Sequence, residues 1–212
     1  MSATEFQLPA QFDYLAIFAW ALAGAIVGLR KRYDLVGVFV TAMLSSIGGG
    51  LVRDGLLLHR TPPVLTDPYY LPLIIIATLI VVVFRVRIER TAAINKLVAI
   101  IDAVATPAFA VVGLQLGAQA GLPTLGIMLI GCVSAVGGGL LRDVVVRDEP
   151  ELLRPGQFVA IPVAVACAAF LVLTLHFGFS PTPIAWATVV VFVLVRLLTI
   201  RYDWRTRPLL EG

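Results

Sequence analysis

Two stretches of the chain carry the same unusual set of residues. Residues 45–54 read Ser-Ser-Ile-Gly-Gly-Gly-Leu-Val-Arg-Asp, and residues 134–143 read Ser-Ala-Val-Gly-Gly-Gly-Leu-Leu-Arg-Asp. Each places a serine, three glycines, an arginine and an aspartate in an otherwise apolar run. A glycine inside a helix costs about 1 kcal/mol relative to alanine. Gly48, Gly49, Gly50 and Gly137, Gly138, Gly139 are therefore expected to kink or unwind their helices. Freed carbonyls and the negative end of a half-helix suit a cation. The competing reading is close packing, since small residues let membrane helices approach. Ser45 and Ser134 would add hydroxyls to a cation path, with Thr41, Ser46 and Thr106 as further candidates. Gly24-x-x-x-Gly28 and Gly113-x-x-x-Gly117 have the usual packing spacing and are expected to pack.

The charges come next. Arg53-Asp54 and Arg142-Asp143 lie within apolar runs, where a charge is costly and faces a cavity or a partner. Neighbouring residues on a helix do not face each other, so neither pair is expected to satisfy itself. Asp13 and Asp102 offer alternatives, and contacts Asp13–Arg53 and Asp102–Arg142 are expected. With Asp54 and Asp143 they would form charged vestibules at the two ends of an ion path, or else lock helices together.

No enzyme signature accompanies these groups. The glycine triplets lack the Gly-Lys-Ser/Thr ending of a phosphate loop, and no serine or cysteine nucleophile is set beside a histidine. Cys132 and Cys167 lie in apolar runs without ligand spacing and read as packing residues. His59 and His176 read as interfacial, so neither a metal site nor a cofactor is expected. No cleavable signal is expected in the first eleven residues, which lack a basic stretch.

The elements that must position these residues are membrane helices. Of 212 residues, 59% are hydrophobic and 14% charged, against about 25% charged in a soluble domain; the mean hydropathy is +0.97. A bilayer core takes about 20 apolar residues in helical form. Seven spans are expected, at about 14–29, 35–58, 69–84, 97–117, 124–146, 157–177 and 184–200. Turn-forming breaks separate them at Thr61-Pro62-Pro63, Asp67-Pro68, Gly121-Leu122-Pro123, Pro155-Gly156 and Ser180-Pro181-Thr182-Pro183. The runs are too long and too evenly apolar for the alternating strands of a membrane barrel.

Loop charge sets the orientation. Basic residues follow span one (Arg30, Lys31, Arg32), span three (Arg85, Arg87, Arg90, Lys96), span five (Arg147, Arg154) and span seven (Arg201, Arg205, Arg207). The loops after spans two, four and six hold Arg60 alone. The basic side is cytoplasmic, which puts the N-terminus outside. The short basic loops are topogenic and do not form a nucleic-acid surface.

The doubled block extends into a full internal repeat. A shift of 89 residues carries Asp13 onto Asp102, and also Gly24 onto Gly113, Gly28 onto Gly117, Gly37 onto Gly126 and Ser45 onto Ser134. Each unit holds three spans, so the copies are expected to be inverted relative to one another, a plan that places functional sites near the midplane. The expected fold is an all-α integral membrane protein, one domain over 1–212. It comprises repeat one (12–84), repeat two (101–177), an extra seventh helix (184–200) and a cytoplasmic tail (201–212).

The doubled Gly-Gly-Gly-x-x-Arg-Asp blocks, the two three-helix units, the extra helix and the length together resemble the trimeric intracellular cation (TRIC) channels. The likeness runs from about Asp13 to Arg201 and is strongest to the prokaryotic branch, formerly catalogued as an uncharacterised or glycine-transporter membrane family. The resemblance implies a homotrimer with one pore per subunit, conducting K⁺ above Na⁺. Helices two and five, kinked at Gly48–Gly50 and Gly137–Gly139, would line that pore. It also implies membrane lipids as neighbours and a prokaryotic plasma membrane as location. The Lys-Glu-Val stretch tied to phosphoinositides in animal members is absent. The runner-up function is a secondary transporter of a small solute such as an amino acid. A non-conducting scaffold is the third reading.

Overall fold

The computed structural model describes residues 10–84, 92–150, 152–153 and 160–202. Among them the chain is helical without strands, in seven main helices. These are α1 (Ala10–Arg30), α2 (Leu35–Leu51), α3 (Tyr70–Val83), α4 (Ala92–Gln119), α5 (Thr124–Val145), α6 (Ala160–Leu171) and α7 (Pro181–Arg201). Two of them end in wider π turns, α2 over Val52–Leu57 and α6 over Val172–His176. The Pro62-Pro63 break becomes a 3₁₀ turn at Pro63–Leu65. Arg85, Arg87, Arg90, Arg154, Arg205, Arg207, Trp204, the Pro155-Gly156 break, the start of span six, the first nine residues and the tail beyond 202 lie outside the described residues.

Local chemistry fixes the ends. The Asp34 carboxylate accepts the Gly37 N–H at 2.8 Å and caps α2. Pro181 opens α7 at a position whose N–H has no helical partner. Pro107 sits inside α4 without ending it. Among the described residues five helices are long and apolar enough to cross a membrane: α1, α2 with its π turn, α4, α5 and α7. α3 and α6 are shorter apolar helices.

α1 packs on α2, and α4 on α5, as two helical hairpins joined through α1–α4 and α2–α5 contacts. α3 lies chiefly against α1, while α7 lies against α4 and α6. One apolar core gathers Ile17, Trp20, Val38, Ile74 and Phe109, with the Trp20 and Phe109 rings stacked at 4.6 Å. The other gathers Val111, Leu114, Ile127, Val163, Cys167 and Phe192. Large apolar side chains such as Ile76, Val165, Val190 and Leu194 stay exposed on the outer helices, which suits a hydrocarbon surround.

The two three-helix units repeat one another atom for atom in places. α1 ends with the Tyr33 N–H on the Gly28 carbonyl at 3.2 Å, and α4 with the Leu122 N–H on the Gly117 carbonyl at 3.2 Å. Both are six-to-one closures, with Arg32 (φ 60°) and Gly121 (φ 71°) at equivalent left-handed positions. A side-chain carbon at Gly24 would lie 2.6 Å from the Ser45 Cβ, and one at Gly113 would lie 2.6 Å from the Ser134 Cβ. The Gly-x-x-x-Gly motifs therefore bring each first helix onto its second at backbone distance, as their spacing suggested.

Candidate functional site

The two Gly-Gly-Gly-x-x-Arg-Asp blocks meet where α2 crosses α5. Gly49 lies against Gly137, Gly138 and the Ser134 carbonyl; a Cβ at Gly49 would come within 2.9 Å of that oxygen and 3.0 Å of the Gly138 N. A Cβ at Gly137 would come within 2.9 Å of the Gly49 Cα. Gly48 lies beside Leu141 and Gly138, while Gly138 also meets the Ser45 carbonyl and Trp20. The third glycine of each triplet serves differently. Gly50 and Gly139 leave open the space that the Arg53 and Arg142 guanidinium groups approach, at 3.6 and 3.9 Å.

Neither triplet is unwound. α2 remains α-helical through Gly50 and α5 through Gly139, and the Val52 N–H bonds the carbonyls of Gly48 and Gly49. The expected free carbonyls are absent at these two residues because two bare backbones packed together stabilise the helical form that glycine alone disfavours. In α2 the departure from α geometry comes after the triplet, in the π turn from Val52.

The charged residues form two chains across this crossing. Arg53 donates from Nε to Asp54 Oδ1 at 2.9 Å and from Nη2 to Asp54 Oδ2 at 2.6 Å. Its Nη1 reaches into the other repeat, to Ser134 Oγ at 2.8 Å. Arg142 mirrors this, with Nε on Asp143 Oδ1 at 2.9 Å and Nη1 toward Ser45 Oγ at 3.5 Å. Each arginine therefore pairs with its own neighbour and with the serine of the opposite repeat. All of Ser45, Ser134, Arg53, Asp54, Arg142 and Asp143 are buried.

This corrects the expectation that adjacent Arg–Asp pairs cannot satisfy themselves. The rule about neighbouring helix positions concerns side chains that project straight outward. Arginine has a long stem, and the missing side chains at Gly50 and Gly139 let it fold back beside its own helix. The predicted Asp102–Arg142 contact is present at 3.9 Å. The predicted Asp13–Arg53 contact is not: Asp13 takes the Tyr70 hydroxyl, and Arg53 turns to Asp54 and Ser134.

The remaining hydroxyls are spent locally. Thr41 donates to the Val38 carbonyl at 2.9 Å, Ser46 to Ala42 at 2.8 Å and Thr106 to Asp102 at 2.6 Å, the back-bonding usual for such residues in apolar helices. Cys167 is buried, and Cys132 partly so.

A single family model, described as Glycine transporter, matches this chain twice, over residues 10–86 and again over 99–175. The chain belongs to that family. The two matches start 89 residues apart, the same register that pairs Ser45 with Ser134. The chain is also 34% identical to a UPF0126 membrane protein of Deinococcus radiodurans, over 78% of this chain and 76% of that protein. Among solved structures, a study of conductance through TRIC cation channels gives a TM-score of 0.83 at 25% identity, covering 97% of this chain and 100% of that one. The TRIC trimeric intracellular cation channel orthologue from Rhodobacter sphaeroides gives a TM-score of 0.82 at 25% identity, covering 92% and 98%. The resemblance read from the doubled motif is therefore matched by fold as well as by sequence.

Several residues of this family member escaped the sequence reading. Tyr14 donates to Asp67 Oδ2 at 2.6 Å, and Arg60 lies 3.6 Å from Asp54. Lys31 pairs with Asp148 at 2.5 Å, joining the turn after α1 to the turn after α5. Arg196 is buried on the α7 face that carries Phe192 and Thr199. Arg196 left a trace in the sequence as a charge within an apolar span, and Lys31 and Arg60 only as loop charges. The Tyr14–Asp67 and Lys31–Asp148 pairs join distant positions that no spacing rule connects, and Arg60 reaches Asp54 across the π turn.

Proposed function

We propose that the chain is a monovalent cation channel, permeable to K⁺, with its path inside each subunit between α2 and α5. The observation that carries this is the buried Arg53–Asp54 and Arg142–Asp143 network at the crossing of the two repeats. Charges inside a membrane bundle are expensive and mark ion pathways, and the fold neighbours are cation channels by name. Gly48–Gly50 and Gly137–Gly139 line the path with Ser45 and Ser134. Asp13, Arg53 and Asp54 form the outer vestibule, and Asp102, Arg142 and Asp143 the inner one. With α2 and α5 packed together, the Gly49–Gly138 backbone contact and the two guanidinium groups would close such a path. Opening parts α2 from α5 and frees those groups from the opposite serines.

Repeat one (12–84) and repeat two (101–177) lie inverted within one membrane domain, with the seventh helix outside the repeat. Lys31, Arg32, Arg147, Arg201 and the tail face the cytoplasm, and the N-terminus lies outside. The Lys31–Asp148 pair supports this, since it holds two basic turns at the same end. The subunits assemble as a trimer in the prokaryotic plasma membrane, as the Rhodobacter channel's description suggests for that protein.

Single-channel recording in planar bilayers under a K⁺ gradient tests the proposal. Unitary steps that reverse near the K⁺ equilibrium potential are expected. Saturable, coupled uptake of a small solute such as glycine, without unitary currents, would overturn it in favour of a transporter.

A further inference from the structure

The loop between α2 and α3 walls one side of a small, half-open cavity of about 20 Å³, enough for roughly one water. The helices contribute Asp13, Ser46, Gly50, Arg53 and Asp54 to its wall, and the loop contributes Pro62, Pro63 and Val64. The cavity adjoins the Arg53 end of the charged network.

Two tyrosines tie this loop down. Tyr14 on α1 donates to Asp67, whose other carboxylate oxygen accepts the Tyr69 N–H at 2.9 Å. The Asp67 N–H in turn bonds the Pro63 carbonyl at 2.7 Å, so the carboxylate is rigidly coupled to the segment beside the cavity. Tyr70 donates to Asp13, and the Tyr14 ring packs edge-on against Tyr70 at 6.0 Å.

Repeat two lacks this arrangement. In the 89-residue register Tyr14 becomes Ala103, Asp67 becomes Gly156, Tyr69 becomes Phe158 and Tyr70 becomes Val159, although Asp13 keeps its counterpart Asp102. The sequence of repeat two thus offers no such hydroxyls, and their presence in repeat one calls for a local role.

We infer that residues 58–69 form a lid over the outer end of the path and that the Tyr14–Asp67 hydrogen bond is its latch. The inference rests on the pathway reading above. While latched, the loop walls the cavity, and the tyrosine hydroxyls occupy the carboxylates of Asp13 and Asp67. Release uncovers the mouth and frees the Asp67 oxygen that Tyr14 had occupied for an arriving cation, coupling access to cation attraction.

Tyr14→Phe removes the hydroxyl and keeps the ring, and Asp67→Asn weakens the same bond from its other side. In planar bilayers Tyr14→Phe should raise open probability about fivefold, the effect of one net hydrogen bond, with unitary conductance unchanged. The second readout needs no current. With Cys132 and Cys167 replaced by alanine, Val64→Cys should react with a membrane-impermeant thiol reagent about fivefold faster when Tyr14→Phe is added. Equal labelling rates in the latched and unlatched proteins, both eluting as intact oligomers, would overturn the lid. Absence of unitary currents in the unmodified protein would instead sink the pathway reading, and the labelling comparison would still decide whether the loop opens.

Discussion

The Arg53 and Arg142 sites occupy equivalent places in two copies of one motif, yet the chain completes them differently. Arg53 grips Asp54 through two hydrogen bonds, and Asp54 is fully buried with Arg60 close by. Arg142 bonds Asp143 at 2.9 Å and also reaches back toward Asp102 at 3.9 Å. The cross-repeat bonds differ as well, 2.8 Å from Arg53 to Ser134 against 3.5 Å from Arg142 to Ser45. The cause lies beyond the shared motif. Gly55 stands where repeat two has Val144, and glycine eases the change from α to π geometry that follows Val52. α5 instead keeps α geometry to Val145. A duplicated motif therefore places the charges, and the flanking residues decide how tightly each is held.

That contrast can be broken in order of expected effect. Asp54→Ala leaves Arg53 buried without its carboxylate and should destabilise the protein by about 3–5 kcal/mol. Asp143→Ala should cost less, because Arg142 keeps Asp102. Thermal unfolding of the two variants in the same detergent compares them directly, and equal losses would show that the two sites are held alike.

The glycines separate next. Gly49→Ala and Gly138→Ala push a methyl into facing backbone and should each cost about 1–3 kcal/mol. Gly50→Ala and Gly139→Ala meet side-chain tips at ordinary contact distance, 3.6 Å or more, and should fall near neutral. A melting assay that ranked the third glycine with the second would contradict the geometry.

The serines follow. Ser134→Ala removes a short bond to a charged donor and should lower stability by about 1.5 kcal/mol, whereas Ser45→Ala should be barely detectable in the same melt. Smallest of all is Lys31→Ala. Its pair with Asp148 is partly exposed and should contribute no more than about 0.5 kcal/mol, disappearing in high salt; comparing melting at low and high ionic strength checks it.

Much of this was legible without coordinates. Length and apolarity of the runs gave helices in number and order, since a bilayer demands both. The positions of the two motifs followed from the 89-residue register. The site was legible in membership and misread in wiring. Asp102–Arg142 was anticipated, but Asp13 was assigned to Arg53 when Tyr70 claims it. Sequence offers no way to see the Tyr70 hydroxyl meet a carboxylate 57 positions away. The triplets were read as weak points in single helices, and in isolation they would be.

The sequence alone determined that this is a membrane bundle built twice from one unit, because apolar length and a repeated motif are properties of the chain itself. Only the tertiary structure decided what the motif does. Whether Gly48–Gly50 unwinds depends on what lies opposite, and Gly137–Gly139 lies opposite, close enough for backbone to meet backbone. Whether Arg53 needs a distant partner depends on the room beside it, which Gly50 leaves open. Both answers come from the second copy crossing the first, a contact between residues some 90 positions apart that no local rule contains.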